Sequence, residues 1–485
     1  MGDFHLYFVL PVVVLAAYGL LVLALAPFFR GNSRILGLVS LLGIGLSGFF
    51  TERLWWIWQD HGPLKTAFGM VRVDGFGLFF SLIILGVGAL SVLASMRFLE
   101  REEADHGEFY ALMLIGLAGM LVMVNTTHLM MVLIGLEVFS VALYVLCGMT
   151  RARVRSVEAS LKYFLLGAFS SGFMVYGLAL LYGATGTLDM EEINMRVGSE
   201  PSTLLWMGMG MVLIGFLFKI GAVPFHHWVP DVYLGAPTNV TGFMAAATKT
   251  VAFGALLRFL PGTFGDQMEV WAPLVTVLAI LTMTVANLVA LAQNNIKRLL
   301  AFSSISHAGY LLIALVCKPE LGVSAIIFYL TAYAFMTVGA FAVAAAVGRG
   351  DSHAETGYEL SAWAGLAWRR PGLGVAMTIF LFSLAGIPPT AGFLGKYVIF
   401  QAAVESKLYL LAVVGVLNAV VGAYYYLRII VSMWMREPAA DEEGPLPVST
   451  SMAVVMILTV VGVLYLGLAP NLLLEMTRGL AAMLV

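Results

Sequence analysis

The sequence predicts an all-α polytopic membrane protein with about 14 transmembrane helices. Of 485 residues, 61% are hydrophobic and 11% are charged, against roughly 25% charged in soluble domains. The mean hydropathy is +0.94. Apolar runs of about 20 residues, the length that crosses the hydrocarbon core, follow one another along the chain. Alternation of apolar and polar residues is absent, which excludes a membrane β-barrel.

Charges, proline, glycine or asparagine bound these runs. The predicted helices begin near Tyr7, Ile35, Gly75, Phe109, His128, Ser160, Thr203, Asn239, Trp271, Leu299, Gly322, Gly372, Lys407 and Ser451. No basic flank precedes the first run, where Asp3 and His5 are the only titratable side chains, and no small-residue cleavage site follows it. We therefore expect the first run to stay as helix one rather than to be removed as a signal peptide.

The basic residues of short loops predict the orientation, because such residues concentrate on the cytoplasmic side. The loops on one side of the membrane hold the larger basic set: Arg30, Arg34, Arg97, Arg101, Arg151, Arg153, Arg155, Lys297, Arg298, Arg349, Arg369, Arg370 and Arg436. These loops are predicted to be cytoplasmic. With an even number of helices, both termini are then predicted to be periplasmic.

A repeat is visible in the central part of the chain. Phe-Leu-Phe at 216–218 is followed by Pro224, and Phe-Leu-Phe at 380–382 is followed by Pro388 at the same interval. Proline removes a helical hydrogen bond and clashes with the preceding turn, so a helix breaks near each site. The pattern predicts two inverted five-helix repeats, helices 4–8 and 9–13, each with a proline-broken helix as its fourth member. Chance similarity between apolar segments is the alternative.

This repeat divides the chain into four predicted parts. They are residues 1–105 with helices one to three, 106–260 with the first repeat, 261–436 with the second repeat, and 437–485 with helix fourteen.

Four charged residues lie in the middle of apolar runs: Glu137, Lys219, Lys249 and Lys396. A charge near the bilayer centre costs about 2.5–3.5 kcal/mol on the mildest scale and is usually functional, so an intramembrane ion or proton path is predicted. Glu137 lies about nine residues into its helix, near the bilayer centre. An unpaired carboxylate would protonate there, and Lys219 is its expected partner. A purely structural ion pair is the alternative.

Three further positions are secondary candidates. Lys162 lies beside Glu158 near the inner end of helix six. Its side chain either takes part in the proton path or only extends to the membrane interface. His307 lies in AFSSISHAGYLL with serines and a tyrosine that are suited to a water chain; a packing histidine is the alternative. His226 and His227 lack a third ligand for zinc. We expect them in a surface loop, FHHWVPDVYLGAPT.

Neither cofactor nor metal chemistry is predicted on this chain. Cys147 and Cys317 give no CxxC or other metal-ligand spacing, and no GxGxxG follows a predicted strand. An iron–sulfur cluster needs more cysteine ligands than this chain offers. Both cysteines are expected to be small core residues.

Several motifs cover nearly all predicted helices and are specific in combination. They are RVDGF from Arg72, IGLEVFS around Glu137, EASLKYFLLGAFSSG from Glu158, FKIGAVPFHHWVPDVYLGAPT from Phe218, QNNIKRLLAFSSISHAGYLL from Gln293, LAGIPPTAGFLGK ending at Lys396, and AYYYLRI from Ala423. Together they resemble the antiporter-like membrane subunits of proton-pumping NADH:quinone oxidoreductase, respiratory complex I.

The resemblance implies a translocase subunit that moves protons across a bacterial inner (cytoplasmic) membrane. It implies that Glu137 pairs with Lys219, that Lys249 relays protons along the midplane, and that Lys396 faces the exit. FMN, iron–sulfur clusters, NADH and a quinone would then be bound by other subunits of the complex. The implied partners are the antiporter-like subunits M and L and the small subunits K, J, A and H.

Lys396 bears on the choice between subunits, since subunit M usually has glutamate there. If Lys396 only needs to titrate, Lys396→Glu should keep part of the pumping. A subunit of a multi-subunit sodium/proton antiporter is the alternative function, and a purely structural membrane subunit would not need four midplane charges. Membership in a formate- or ferredoxin-linked relative of complex I is a third functional hypothesis.

Overall fold

The computed structural model describes residues 5–29, 33–67, 69–96, 107–197, 202–348, 355–437 and 448–484. Several residues used above lie outside these described ranges: Asp3, Arg30, Arg97, Arg101 and Arg349. The predicted boundary near residue 105 also lies outside them. In the part that is described, the chain is helical apart from short turns and one hairpin of two antiparallel strands, β1 (Leu64–Thr66) and β2 (Val71–Val73).

Sixteen of the described helices have eleven or more residues. They are α1 (Leu6–Leu25), α2 (Ser33–His61), α3 (Gly75–Ser95), α4 (Glu108–Val124), α5 (Leu129–Cys147), α6 (Val154–Thr185), α7 (Thr203–Ile220), α8 (Lys249–Phe259), α9 (Met268–Leu291), α10 (Ile296–Leu315), α11 (Pro319–Val347), α12 (Pro371–Ala385), α13 (Ala391–Glu405), α14 (Tyr409–Met435), α15 (Thr450–Leu468) and α16 (Asn471–Ala481).

Shorter helices join them: Met190–Arg196, Trp228–Gly235, Thr238–Phe243, Pro261–Phe264 and Leu366–Arg369.

Helix starts follow from side chains that accept hydrogen bonds from otherwise unpaired backbone N–H groups. The Asp74 carboxylate accepts from the N–H of Gly77 at the start of α3, at 2.8 Å. Ser202 accepts at the start of α7, Asn295 at the start of α10 and Ser449 at the start of α15. These local caps explain why these four helices begin where their apolar runs begin.

The protein is a multi-pass membrane protein. Eleven helical stretches of the described ranges are long and apolar enough to cross a membrane, and α4 and α12 are shorter apolar helices. One of the eleven covers residues 238–291 and so contains both α8 and α9. The predicted helix starts agree with the observed ones to within six residues when helix eight is counted from the short helix Thr238–Phe243. The largest difference is at helix six, which begins at Val154. The total of fourteen, the inverted repeat and the four-part division stay predictions.

Both predicted breaks are present. Gly221 (φ +72°) directly follows α7 and Gly386 (φ +87°) directly follows α12, each in the left-handed conformation that favours glycine. In both cases the residue after the glycine donates its N–H, at 2.9 Å, to the carbonyl five residues earlier. The chain then turns and resumes as the helix Trp228–Gly235 in one place and as α13 in the other.

His226 and the exposed His227 lie in a turn, as expected, but the expectation of a surface loop is wrong for the rest of FHHWVPDVYLGAPT. Residues 228–235 form a helix, and Trp228 and Tyr233 are buried. The Trp228 ring stacks on Tyr163 of α6 with ring centroids 4.5 Å apart, and its Nε1 donates to the Phe218 carbonyl at 2.9 Å. Burying these large rings outweighs the turn signals of the surrounding glycine and prolines.

The polar residues of the hairpin region form a buried ion-pair network. Arg258 of α8 donates two hydrogen bonds to the Asp74 carboxylate, at 2.7 and 2.9 Å, and Arg72 lies 2.8 Å from the same carboxylate. Burial raises the pKa of the Asp74 carboxyl, but Arg258 and the Gly77 N–H outweigh burial and hold that pKa below its ordinary value. The network therefore ties the hairpin and α3 to α8.

Candidate intramembrane charged site

Lys219 lies in the last turn of α7 and is buried. Its Nζ donates to the hydroxyl of Ser140 on α5 at 2.7 Å, and that hydroxyl donates to the Leu136 carbonyl. Four aromatic rings surround the ammonium at 5.1–5.8 Å from their centroids: Phe139, Tyr144, Tyr163 and Phe218. Ring faces attract a cation, so the aromatic cage partly replaces the lost water.

The predicted direct ion pair between Glu137 and Lys219 is not formed in this structure. Among the described residues, no carboxylate lies within 4.0 Å of the Lys219 ammonium. Glu137 is half-buried and instead accepts a hydrogen bond from Ser171 of α6. Ser140, which binds Lys219, lies three residues after Glu137 and therefore on the same face of α5. The carboxylate and the ammonium thus have separate hydroxyl partners, Ser171 on α6 and Ser140 on α5.

Lys249 follows a five-residue π-helical segment, Met244–Thr248, which the sequence did not predict. Extra-wide turns of this kind are frequent at functional sites. The buried ammonium donates to the Ser304 carbonyl of α10. The hydroxyl of Tyr333 on α11 donates to the Ser304 hydroxyl at 2.9 Å, and the Tyr333 ring lies 5.8 Å from the ammonium.

His307 is buried and both of its ring nitrogens contact tyrosine hydroxyls. Nδ1 contacts Tyr329 of α11, and Nε2 lies 3.0 Å from the hydroxyl of Tyr426 on α14. Tyr426 also contacts the hydroxyl of Ser303. An imidazole between two hydroxyls can accept a proton at one nitrogen and release one from the other, so this arrangement suits proton relay.

Lys396 is buried on α13, and its Nζ donates to the Leu384 and Ala385 carbonyls at 2.9 and 3.0 Å. These carbonyls end α12, where a cation is favoured by the helix dipole. The Tyr310 ring lies 5.0 Å from the ammonium. An open cavity of about 480 Å³ reaches Lys396 and is also lined by Glu405. The break between α12 and α13 therefore supplies both the hydrogen-bond acceptors and the opening.

Of the three secondary candidates, Lys162 and Glu158 lie apart from the buried lysines. Lys162 forms ion pairs with Glu158 at 2.6 Å and with Asp231 at 2.9 Å. The sequence predicts the contact with Glu158. It does not predict the contact with Asp231, which belongs to the segment expected to form a surface loop. Ser306 of the predicted polar cluster is buried, and its hydroxyl has no hydrogen-bond partner in the part of the chain that the structure describes.

Sequence reasoning missed several side chains that complete the site. Ser140, Ser171, Tyr329, Tyr333 and Tyr426 all contact a predicted residue or its partner. The spacing of Ser140 from Glu137 is a signal that could have been used, because residues three apart share a helix face. The tyrosines lie on other helices and have no such signal.

Cys147 and Cys317 are free and buried, in agreement with their expected role as core residues. In the described ranges, no group of three or more histidine, cysteine, aspartate or glutamate side chains has a spacing that would hold a metal ion.

Comparison with known families identifies relatives over nearly the whole chain. The sequence pattern of the NADH:quinone oxidoreductase/Mrp antiporter transmembrane family matches residues 126–422. The chain is 43% identical to the NADH-quinone oxidoreductase subunit N of Trichlorobacter lovleyi, covering 98% of this chain and 96% of that protein. It is 41% identical to a subunit N of Herpetosiphon aurantiacus, covering 96% and 94%.

Solved structures have the same fold. A chain of respiratory complex I from Thermus thermophilus matches with a TM-score of 0.80 and 36% identity, covering 96% of this chain and 98% of that one. A chain of an Mrp complex from a Dietzia species matches with a TM-score of 0.86 but only 22% identity, covering 98% and 97%. The second likeness bears on the fold alone.

Proposed function

This chain belongs to the NADH:quinone oxidoreductase/Mrp antiporter family and, within it, to the subunit N proteins of NADH-quinone oxidoreductase, and we propose that it moves protons through a midplane row of Glu137, Lys219, Lys249 and Lys396. The movement is coupled to quinone reduction elsewhere in the complex. The complex is a translocase of a bacterial inner membrane, and this chain carries no redox site.

The observation that carries the proposal is the placement of the three lysines. Each is buried, and among the described residues each ammonium donates to a hydroxyl or to backbone carbonyls rather than to a carboxylate. Burying a cation without a carboxylate is a poor way to stabilise a fold. Buried lysines change protonation state readily, which is what a proton carrier requires.

The described contacts suggest the order of the row. Lys249 and His307 are connected through α10, because Lys249 binds Ser304 and His307 lies one turn later on the same helix. Tyr310, one turn further, lies against Lys396. Between Lys219 and Lys249 no direct hydrogen bond is present among the described residues, so water completes that step in our proposal.

Coupling is proposed to act through Glu137, which has two alternative partners. In one state Ser171 binds the carboxylate, as here; in the other the carboxylate turns toward Lys219 and stabilises its ammonium. A charge shift in the neighbouring subunit changes the balance between these states. Moving one charge across 100 mV costs about 2.3 kcal/mol, which the making or breaking of one buried pair can supply.

The proposal includes partners and cofactors. The partners are other complex I subunits, with M, L, K, J, A and H as the proposed set. FMN, iron–sulfur clusters, NADH and the quinone are proposed to bind to other subunits of the complex and none to this chain.

Purification of the native assembly in sealed vesicles tests the function. We expect the co-purified subunits to include NADH-binding and iron–sulfur proteins, and NADH oxidation with a quinone acceptor to drive proton translocation without sodium. An assembly that lacks those subunits and exchanges protons for sodium would instead establish the antiporter alternative.

Topology provides a separate prediction. The loop with Arg151, Arg153 and Arg155 is expected in the cytoplasm and both termini in the periplasm, because basic loops stay inside. Reporter fusions after Leu484 should be active only with a periplasmic reporter, whereas fusions within the arginine loop should be active only with a cytoplasmic one. The reverse pattern would refute the orientation.

A further inference from the structure

A second charged cluster lies at one end of α6, outside the midplane row. Lys162 contacts Glu158 at 2.6 Å and Asp231 at 2.9 Å, and Arg298 of α10 lies 3.9 Å from the same aspartate. Their side chains are 37–53% exposed, so the cluster is accessible from outside the helix bundle. The row proposed above gives no role to Asp231 or Arg298.

The position of the cluster along α6 places it toward the basic loop. Lys162 is the ninth residue of α6, about 12 Å from the start of that helix. Arg151 and Arg153 immediately precede the helix. Arg298 lies in the first turn of α10, beside Lys297. The cluster therefore lies between the arginine loop and the buried lysines.

Two elements connect the cluster to Lys219. On α6, Tyr163 follows Lys162, and its ring lies 5.1 Å from the Lys219 ammonium. On the helix Trp228–Gly235, Asp231 lies three residues after Trp228, which stacks on Tyr163. The hydroxyl of Tyr163 is fully buried and has no hydrogen-bond partner within the described ranges. Burying such a hydroxyl costs free energy unless water or a transferred proton supplies its missing hydrogen bond.

The broken helices place Asp231 and Lys396 at matching positions. Asp231 is the tenth residue after Gly221, and Lys396 is the tenth residue after Gly386. Both glycines end the first half of a broken helix in the left-handed conformation. If the two halves of the chain are inverted repeats, the counterpart of an exit group on one side is an uptake group on the other side.

We propose that Asp231 takes up protons from the side of the basic loop for delivery to Lys219, with Lys162 as its positioning residue. This inference rests on the proposed function. A proton from water binds the Asp231 carboxylate and passes through the Tyr163 hydroxyl and bound water to the neutral amine of Lys219, which becomes an ammonium. The carboxylate that remains is again held by Lys162, and no other group changes charge.

The test compares variants in the assembled complex in sealed vesicles. Asp231→Asn keeps the size but cannot carry the proton, so we expect NADH-driven proton translocation to fall by about tenfold or more. Asp231→Glu should keep most of it. The matched control is Glu192→Gln, which removes a similarly exposed carboxylate from its pair with Arg196 and should leave translocation unchanged.

A second measurement separates proton uptake from a structural ion pair. Formate in the medium should partly restore the Asp231→Asn variant, because a small acid can replace a missing proton carrier at an exposed position. The double variant with Lys162→Met and Asp231→Asn removes both charges of the Lys162–Asp231 pair. It should stay slow if Asp231 carries protons, and should recover if the pair is only structural.

The outcomes decide between the hypotheses. Normal translocation by the assembled Asp231→Asn variant, or full recovery in the double variant, overturns this inference. If Glu137→Gln is impaired in the same experiments, the proposed function survives that result. If Asp231→Asn does not assemble, the double variant decides in the same way: slow translocation supports the inference, and normal translocation refutes it.

Discussion

Replacing Glu137 by glutamine is expected to lower NADH-driven proton translocation by about tenfold or more while the complex still assembles. Glutamine keeps the size and can still accept the hydrogen bond from Ser171, so the local packing survives. It removes the negative charge that lies one helical turn from Ser140, whose hydroxyl accepts a hydrogen bond from the Lys219 ammonium. Lys219 then loses the charge that would stabilise its protonated state. The proposed state in which Glu137 turns toward Lys219 can therefore no longer couple the charge shift to proton transfer.

The measurement is proton translocation by the assembled variant in reconstituted vesicles. Glu320→Gln is the matched control, since Glu320 is an exposed carboxylate in the first turn of α11 and lies outside the row. Wild-type translocation by Glu137→Gln would show that Glu137 has no part in the coupling.

Variants of Lys396 test whether this lysine titrates during translocation or serves only as a fixed cation. Arginine keeps a cation and its donors for the Leu384 and Ala385 carbonyls, but it does not release a proton. We therefore expect Lys396→Arg to assemble and to lose about tenfold or more of the translocation. Methionine should lose translocation and also weaken the break between α12 and α13.

Lys396→Glu is expected to be at least as damaging as Lys396→Met. The sequence alone suggested that glutamate would keep part of the pumping, as in subunit M. Here the side chain faces two backbone carbonyls at the negative end of α12, and a carboxylate there is repelled. Lys318→Met, at an exposed lysine before α11, is the control. Normal translocation by Lys396→Arg would contradict a titrating role for this lysine.

The sequence by itself determined the class of the protein and the chemistry of its interior. Apolar runs of membrane-spanning length leave few alternatives to helices, because hydrocarbon offers no partner for unpaired backbone groups. Lysines within such runs stand out because their burial is costly. Prolines 224 and 388 predicted both helix breaks because proline cannot continue a helical hydrogen-bond ladder.

Only the tertiary structure decided which groups each charge meets. Ser140 rather than Glu137 binds Lys219, and Tyr426, 119 positions along the chain, binds His307. Asp231, which the sequence predicted to lie in a loop, lies in a helix and accepts a hydrogen bond from Lys162. These contacts depend on the rotation of each helix about its axis and on its crossing with its neighbours. A helix that is apolar on every side does not encode its rotation, so its partners are set by packing alone.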